Sequence, residues 1–191
     1  MPKKILVVSG SPKKDGNTAA LVEWFTEGVR AKGGEVERVN AATLKFKSNG
    51  CLSCRACQKS TKFQCVVSDD AQAVLTRMAD ADVIIFATPL YFFSASAQIK
   101  ILMDRMFSLF KWDNAAGTMQ TVLKGKTMVL LGSAFEDVGL DVLEAPFKLT
   151  AEYSGMKFLS LVIPNAGVSG EIRNKPGVRE KAVALGQRVA G

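Results

Sequence analysis

Unbroken apolar runs recur along the chain at residues 5–8, 83–87, 128–131 and 158–163, each bounded by polar or turn-forming positions. Runs of this kind suit strands buried on both faces, as in a parallel sheet covered by helices on each side. Residues 34–40, GEVERVN, alternate instead and fit a strand nearer the sheet edge. Between the runs, apolar positions recur at helical spacing over 18–32, 69–80, 96–110, 141–153 and from about 176 to 189. The last of these has Pro176 placed as a helix starter. Strand and helix alternate throughout, which predicts a doubly wound α/β fold with right-handed crossovers. No internal repeat or low-complexity stretch interrupts the pattern. Two segments stay irregular, 41–68 and 111–126.

At 191 residues the expectation is a single domain spanning 1–191, with a cysteine-containing loop at 48–68. The opening MPKKILVVSGSP holds only four consecutive apolar residues, too few for an export signal or a membrane span. The expected location is therefore the cytoplasm, where thiols stay reduced and paired structural disulfides are disfavoured. The formal net charge of +7 is spread without any basic run longer than two, so most of it reads as solvated surface with a mild attraction for anions. No aromatic–basic motif or recognition element points to nucleic acid. The chain has no histidine, which removes Ser-His-Asp and Cys-His nucleophile pairs and every histidine-containing zinc site. No cysteine begins the C-x5-R loop of a cysteine phosphatase either. Chemistry here is expected to belong to a cofactor.

In an open α/β sheet, ligands bind beyond the carboxyl ends of the strands, which selects loops 9–17, 88–95 and 132–140. The first reads SGSPKKDGNT. It lacks the Gly-Lys-Ser/Thr of a P-loop and the G-x-G-x-x-G of a dinucleotide site. It does offer the hydroxyls of Ser9, Ser11 and Thr18, the Asn17 amide and free N–H groups at a helix start, with Gly10 and Gly16 letting the backbone curl. Such a nest suits one terminal phosphate, although an Asn-Thr helix cap with nothing bound would look the same. In the second loop, Pro89 stiffens the turn, and Leu90, Tyr91 and Phe92 offer apolar surface for a flat ring. The helix that follows is apolar around most of its circumference. Met103 and Met106 read as core, whereas Phe107, Phe110 and Trp112 fit a subunit interface. Beyond residue 163 no chemistry is legible, and Lys175 and Arg179 read as solvated surface.

Together, SGSPKKDGNT and TPLYFFSASAQIKILMDR resemble the NAD(P)H-dependent FMN reductase family, of flavodoxin-like fold. With GCLSCRACQKSTKFQCVVSDD added, the chain is similar to the iron–sulfur flavoproteins within that family. The resemblance spans about residues 3 to 160. It implies a three-layer sandwich around a five-stranded parallel sheet of order 2-1-3-4-5. It implies FMN, with its phosphate on Ser9, Ser11, Lys13, Asn17 and Thr18 and its ring against Pro89, Leu90, Tyr91 and Phe92. Ser133 and Ala134 would meet the ring's other edge, beside a Phe135 bulkier than that position usually carries. NAD(P)H is the implied donor, a redox protein such as ferredoxin an implied partner, and a homodimer or homotetramer the implied assembly. Hydride transfer between nicotinamide and flavin needs stacking more than an acid or base, which suits a chain without histidine.

All four cysteines lie in one stretch, Cys51, Cys54, Cys57 and Cys65, spaced C-x2-C-x2-C-x7-C. Zinc sites of four cysteines usually join two separate C-x2-C knuckles, whereas three ligands on one tight wrap suit a [4Fe–4S] cube. Cys65 would then complete the same site by a fold-back of residues 58–64. Three other readings stay open: cysteines without metal in a simple flavin or quinone reductase, a zinc staple, and a Cys54–Cys57 redox pair.

Overall fold

The computed structural model describes residues 2–113 and 115–191. In chain order its regular elements are β1 (Lys4–Ser9), α1 (Asn17–Arg30), β2 (Glu35–Asn40), the one-turn α2 (Ala56–Lys59), α3 (Asp70–Asp80), β3 (Val83–Pro89) and α4 (Ala97–Arg105). There follow β4 (Phe110–Asp113), β5 (Thr118–Thr121), β6 (Thr127–Ser133), α5 (Leu140–Tyr153), β7 (Lys157–Ile163) and α6 (Val178–Ala190). Five strands pair in parallel in the order β2-β1-β3-β6-β7. Counted along that sheet, this is the expected 2-1-3-4-5 arrangement of the flavodoxin-like fold.

The apolar runs become strands because both of their faces are covered. In β1, alternate side chains go to opposite sides: Leu6 and Val8 join a core with Val74, Leu75, Ile99, Leu102 and Phe147, under α3, α4 and α5. Ile5 and Val7 join a core with Val22, Phe25 and Val29, under α1. The alternating segment becomes β2, an edge strand with only Val39 buried.

Three departures from the sequence pattern stand out. The helix expected over 96–110 ends at Arg105, continues as a 3-10 turn over Met106–Leu109, and gives Phe110 to a strand. Hydroxyls intercept the carbonyls there, with Ser108 Oγ donating to Arg105 O at 2.9 Å and Thr121 Oγ1 to Leu109 O at 2.8 Å. Part of the 111–126 segment is not irregular: β4 and β5 form an antiparallel hairpin, with Asp113 Oδ1 accepting from the N–H groups of Ala115 and Ala116 at 3.0 Å. The final helix begins at Val178 behind Gly177, whose φ is +78°, so Pro176 precedes it rather than opening it. Among the described residues, no helix is long and apolar enough to cross a membrane.

Candidate functional site

Four loops at the carboxyl ends of the strands enclose a pocket of about 320 Å³. Its walls are Ser11, Lys13 and Gly16–Thr18 after β1, Pro89–Tyr91 after β3, Ser133–Phe135 after β6, and Gly167–Ser169 after β7. Nine of the eleven residues expected at a flavin therefore share one cavity: Ser11, Lys13, Asn17, Thr18, Pro89, Leu90, Tyr91, Ser133 and Ala134. Ser9 and Phe92 are not among the walls. Ser9 ends β1 and pairs with Asn40 and Ala87 in the sheet, which keeps it below the loop. Phe92 points outward and is 98% exposed.

Local chemistry decides what each wall can do. Lys13 is the pocket's one charged lining residue, and it is exposed. The first turn of α1 starts from Gly16 with no side-chain cap, so its N–H groups and the helix dipole face the cavity unclaimed. Thr18 Oγ1 and Ser133 Oγ lie 3.0 Å apart in a buried hydroxyl pair, which leaves one of the two protons free to donate elsewhere. Asn17 has another occupation than the sequence suggests. Its Nδ2 donates to Ala166 O at 3.1 Å and Gly167 O at 3.0 Å, and its Oδ1 accepts from Ile172 N at 3.3 Å. The side chain ties the fourth loop to α1. That loop had no readable signal, because its partners lie about 150 residues away in the chain. Arg179 beyond it forms an exposed ion pair with Glu27.

The second loop carries backbone strain. Tyr91 and Ser94 exchange N–H···O bonds of 2.9 and 3.0 Å around a two-residue turn, with Phe92 at φ +44° and Phe93 at φ +63°. Turns of this hand favour Asn-Gly, and an aromatic residue there costs on the order of 1–3 kcal/mol. The Phe93 ring packs against Gly139, where a Cβ would sit 2.4 Å from it, so the turn is braced on the loop after β6.

The cysteine segment packs elsewhere on the molecule. Cys51, Cys54, Cys57 and Cys65 all line one small pocket of about 20 Å³, together with Arg105, and all four are free. Ser53 and Arg55 adopt left-handed backbone at φ +53°, which wraps the turn tightly. Cys57 is buried, and its carbonyl accepts from Lys111 Nζ. Cys65 is half-buried and fixed by Gln72 Nε2 on its carbonyl at 2.6 Å. Gln58 bonds to Phe110 O and Trp112 N, so the hairpin braces the segment. Cys51 and Cys54 are exposed. Among the described residues, no three Cys, Asp or Glu side chains gather closely enough to hold a metal ion.

The five-stranded parallel sheet with its pocket at the carboxyl edge has the flavodoxin-like architecture. Residues 3–167 match the family described as NADPH-dependent FMN reductase, and the chain belongs to that family. It is 38% identical over 102 residues to an iron–sulfur flavoprotein of Methanocaldococcus jannaschii, a match covering 53% of this chain and 51% of that one. The chain thus spans about half the length of that relative in the match. Among solved structures it is similar to an FMN-dependent NADH-azoreductase from Bacillus anthracis in complex with FMN, with TM-score 0.76, 14% identity and coverage of 98% and 100%. An archaeal flavodoxin shares the fold at TM-score 0.59 and 14% identity, with coverage of 98% and 96%.

Proposed function

We propose that this protein is an FMN-dependent oxidoreductase drawing electrons from NAD(P)H, with a [4Fe–4S] cluster on Cys51, Cys54, Cys57 and Cys65 as its second redox centre. The observation that carries the flavin reading is the pocket itself. It joins an uncapped helix start, the cation of Lys13 and a hydroxyl pair at one end to Pro89, Leu90 and Tyr91 at the other. The donors fit a phosphate dianion, and the apolar wall fits one face of a flat ring. Ser11, Lys13 and Thr18 hold the phosphate in this reading, and Asn17 tethers the loop that closes over it. Bound FMN would accept hydride from the nicotinamide, and a cluster would pass electrons on singly.

For the cluster, the supporting observation is the donor set: four thiols and no other metal-ligating side chain line one pocket. A space of about 20 Å³ has room for a single water, so loading requires the exposed Cys51–Cys54 turn to move outward. Cys57 and Cys65 stay anchored through their carbonyls. The name of the relative from Methanocaldococcus jannaschii agrees with this assignment. A cluster-free NAD(P)H-dependent FMN or quinone reductase is the competing reading. A reducing cytoplasm is the setting that either reading requires, and a ferredoxin-type protein is the alternative electron source.

The test is an absorbance spectrum of anaerobically purified protein with iron and acid-labile sulfide assayed on the same sample. Flavin bands over a broad brown shoulder, with about four irons and four sulfides per chain, support both centres. Flavin alone leaves the simple reductase, and a colourless protein that refuses FMN overturns the reading. Lys13→Ala should weaken FMN binding about fivefold, on the order of 1 kcal/mol for an exposed cation, with the loss shrinking as salt rises.

A further inference from the structure

One wall of the cysteine pocket is a buried arginine whose hydrogen-bonding capacity its visible partners do not exhaust. Arg105 closes α4, and its side chain and that of Asp69 are each 1% exposed. The pair meets end-on: Nη1 donates to Asp69 Oδ2 at 2.7 Å and Nη2 to Oδ1 at 2.8 Å. Asp69 also accepts the N–H of Lys47 at 2.9 Å and of Gln72 at 3.2 Å, so each carboxylate oxygen has two donors. Nη2 reaches Val67 O as well, at 3.1 Å. These contacts make a strut that pins both ends of the cysteine segment, and they use only the two Nη groups.

The Nε–H is left over. It is buried without any hydrogen-bond partner. Arg105 lines the pocket with the four cysteines, whereas Asp69 does not. Burial works against the guanidinium's charge, the Asp69 carboxylate and then the Cys65 sulfur favour it and win, and Nε itself has no bonded partner. A buried donor left unpaired costs about 1–3 kcal/mol. A side-on pair through Nε and one Nη would avoid that cost, and the observed end-on pairing instead leaves Nε unclaimed on a side chain that lines the cysteine pocket.

Resting on the cluster reading above, we propose that Arg105 is a positioning and tuning residue for the iron–sulfur centre, donating its Nε–H to the Cys65 sulfur when that thiolate ligates a cluster. Reduction adds one electron to the centre and neither forms nor breaks a bond, so negative charge on the ligating sulfurs rises. A buried N–H donor then stabilises the reduced form more than the oxidised one and raises the reduction potential.

The experiment is a dithionite titration followed by electron paramagnetic resonance, on anaerobically purified wild type, Arg105→Met and Arg105→Lys, with iron and sulfide assayed on each. At the potential where the wild-type centre is half reduced, Arg105→Met should show a reduced-to-oxidised ratio about tenfold lower, a midpoint about 59 mV more negative for a one-electron couple. Arg105→Lys keeps the charge but has no donor at the Nε position, and it should shift the same way by a smaller amount. Variants whose loaded fraction titrates at the wild-type potential overturn the proposal, even if their iron content falls, because a mere strut alters loading and not potential. If Arg105→Met does not fold, Arg105→Lys decides by the same criterion. Wild type free of iron and sulfide overturns the cluster reading and this proposal together. A loaded wild type with unshifted variants overturns the role of Arg105 alone.

Discussion

Asp69 shows how one buried carboxylate can serve several structural demands. Burial by itself raises its pKa, but hydrogen bonds from Arg105 and then from the N–H groups of Lys47 and Gln72 outweigh burial and hold it at about 2, below the ordinary 3.8. The folded value lies below the unfolded one, so the folded state binds fewer protons between them. The stabilisation, roughly 2–3 kcal/mol, is full above about pH 5 and is lost as pH falls through 3.8 toward 2. Urea unfolding across pH 3–6 should show the wild type losing stability steeply on the acid side. Asp69→Asn should lie at least about 3 kcal/mol lower near neutrality, because it strands the buried guanidinium, and should have a flatter profile. Parallel profiles would remove Asp69 from the account. The same residue was legible only as a helix start; its Oδ1 does accept from Gln72 N. Nothing local announced Arg105 as its partner, since the two are 36 positions apart.

At the scale of elements, α1 and α6 come close enough that side chains would collide with backbone. A Cβ on Gly28 would lie 2.0 Å from Val183 O, and one on Gly186 would lie 2.1 Å from Phe25 O. The two glycines are reciprocal, each admitting the other helix. Alanine would gain about 1 kcal/mol in helix propensity at either position, but overlap with backbone oxygen cannot be relieved by a rotamer change. Gly28→Ala should therefore destabilise by about 1–3 kcal/mol net, seen as a lower thermal midpoint, with FMN affinity falling if α1 carries the phosphate end of the pocket as proposed above. An unchanged or raised midpoint would mean the helices separate at little cost. The sequence pattern marked both segments as helical but could not rank these glycines above any other, because the reason for them is a contact between elements.

At the scale of the whole molecule, one face remains apolar after the core is built. Phe107 and Trp112 stack at 4.6 Å, Phe110 and Trp112 at 5.5 Å, and Tyr153 leans on Phe110 at 5.8 Å. With Met103, Met106 and Leu149 they line a groove of about 740 Å³, in which Leu149 is 63% and Tyr153 61% exposed. Of the residues expected at a subunit interface, Phe110 is instead buried in the core, whereas Phe107 and Trp112 line this groove; we propose that a second copy covers it. Light scattering should report a dimer or larger for the wild type, and Leu149→Glu should shift it toward monomer while leaving the circular dichroism spectrum intact. A monomeric wild type would sink the interface.

The sequence by itself determined the α/β layering and the three loops it selected at the pocket. Strands buried on both faces must be written as unbroken apolar runs, so composition over a few residues reports them directly. Hydroxyls, glycines and a proline just past those runs likewise mark the loops that line the pocket. Tertiary structure alone decided the fourth wall of the pocket, the diversion of the Asn17 amide to Ala166 and Gly167, and the outward turn of Phe92. It also decided that α4 stops at Arg105 so that its guanidinium meets Asp69 and the cysteine pocket. Each of these is a pairing between residues distant in sequence, and a local pattern carries no record of which distant partner will satisfy a donor.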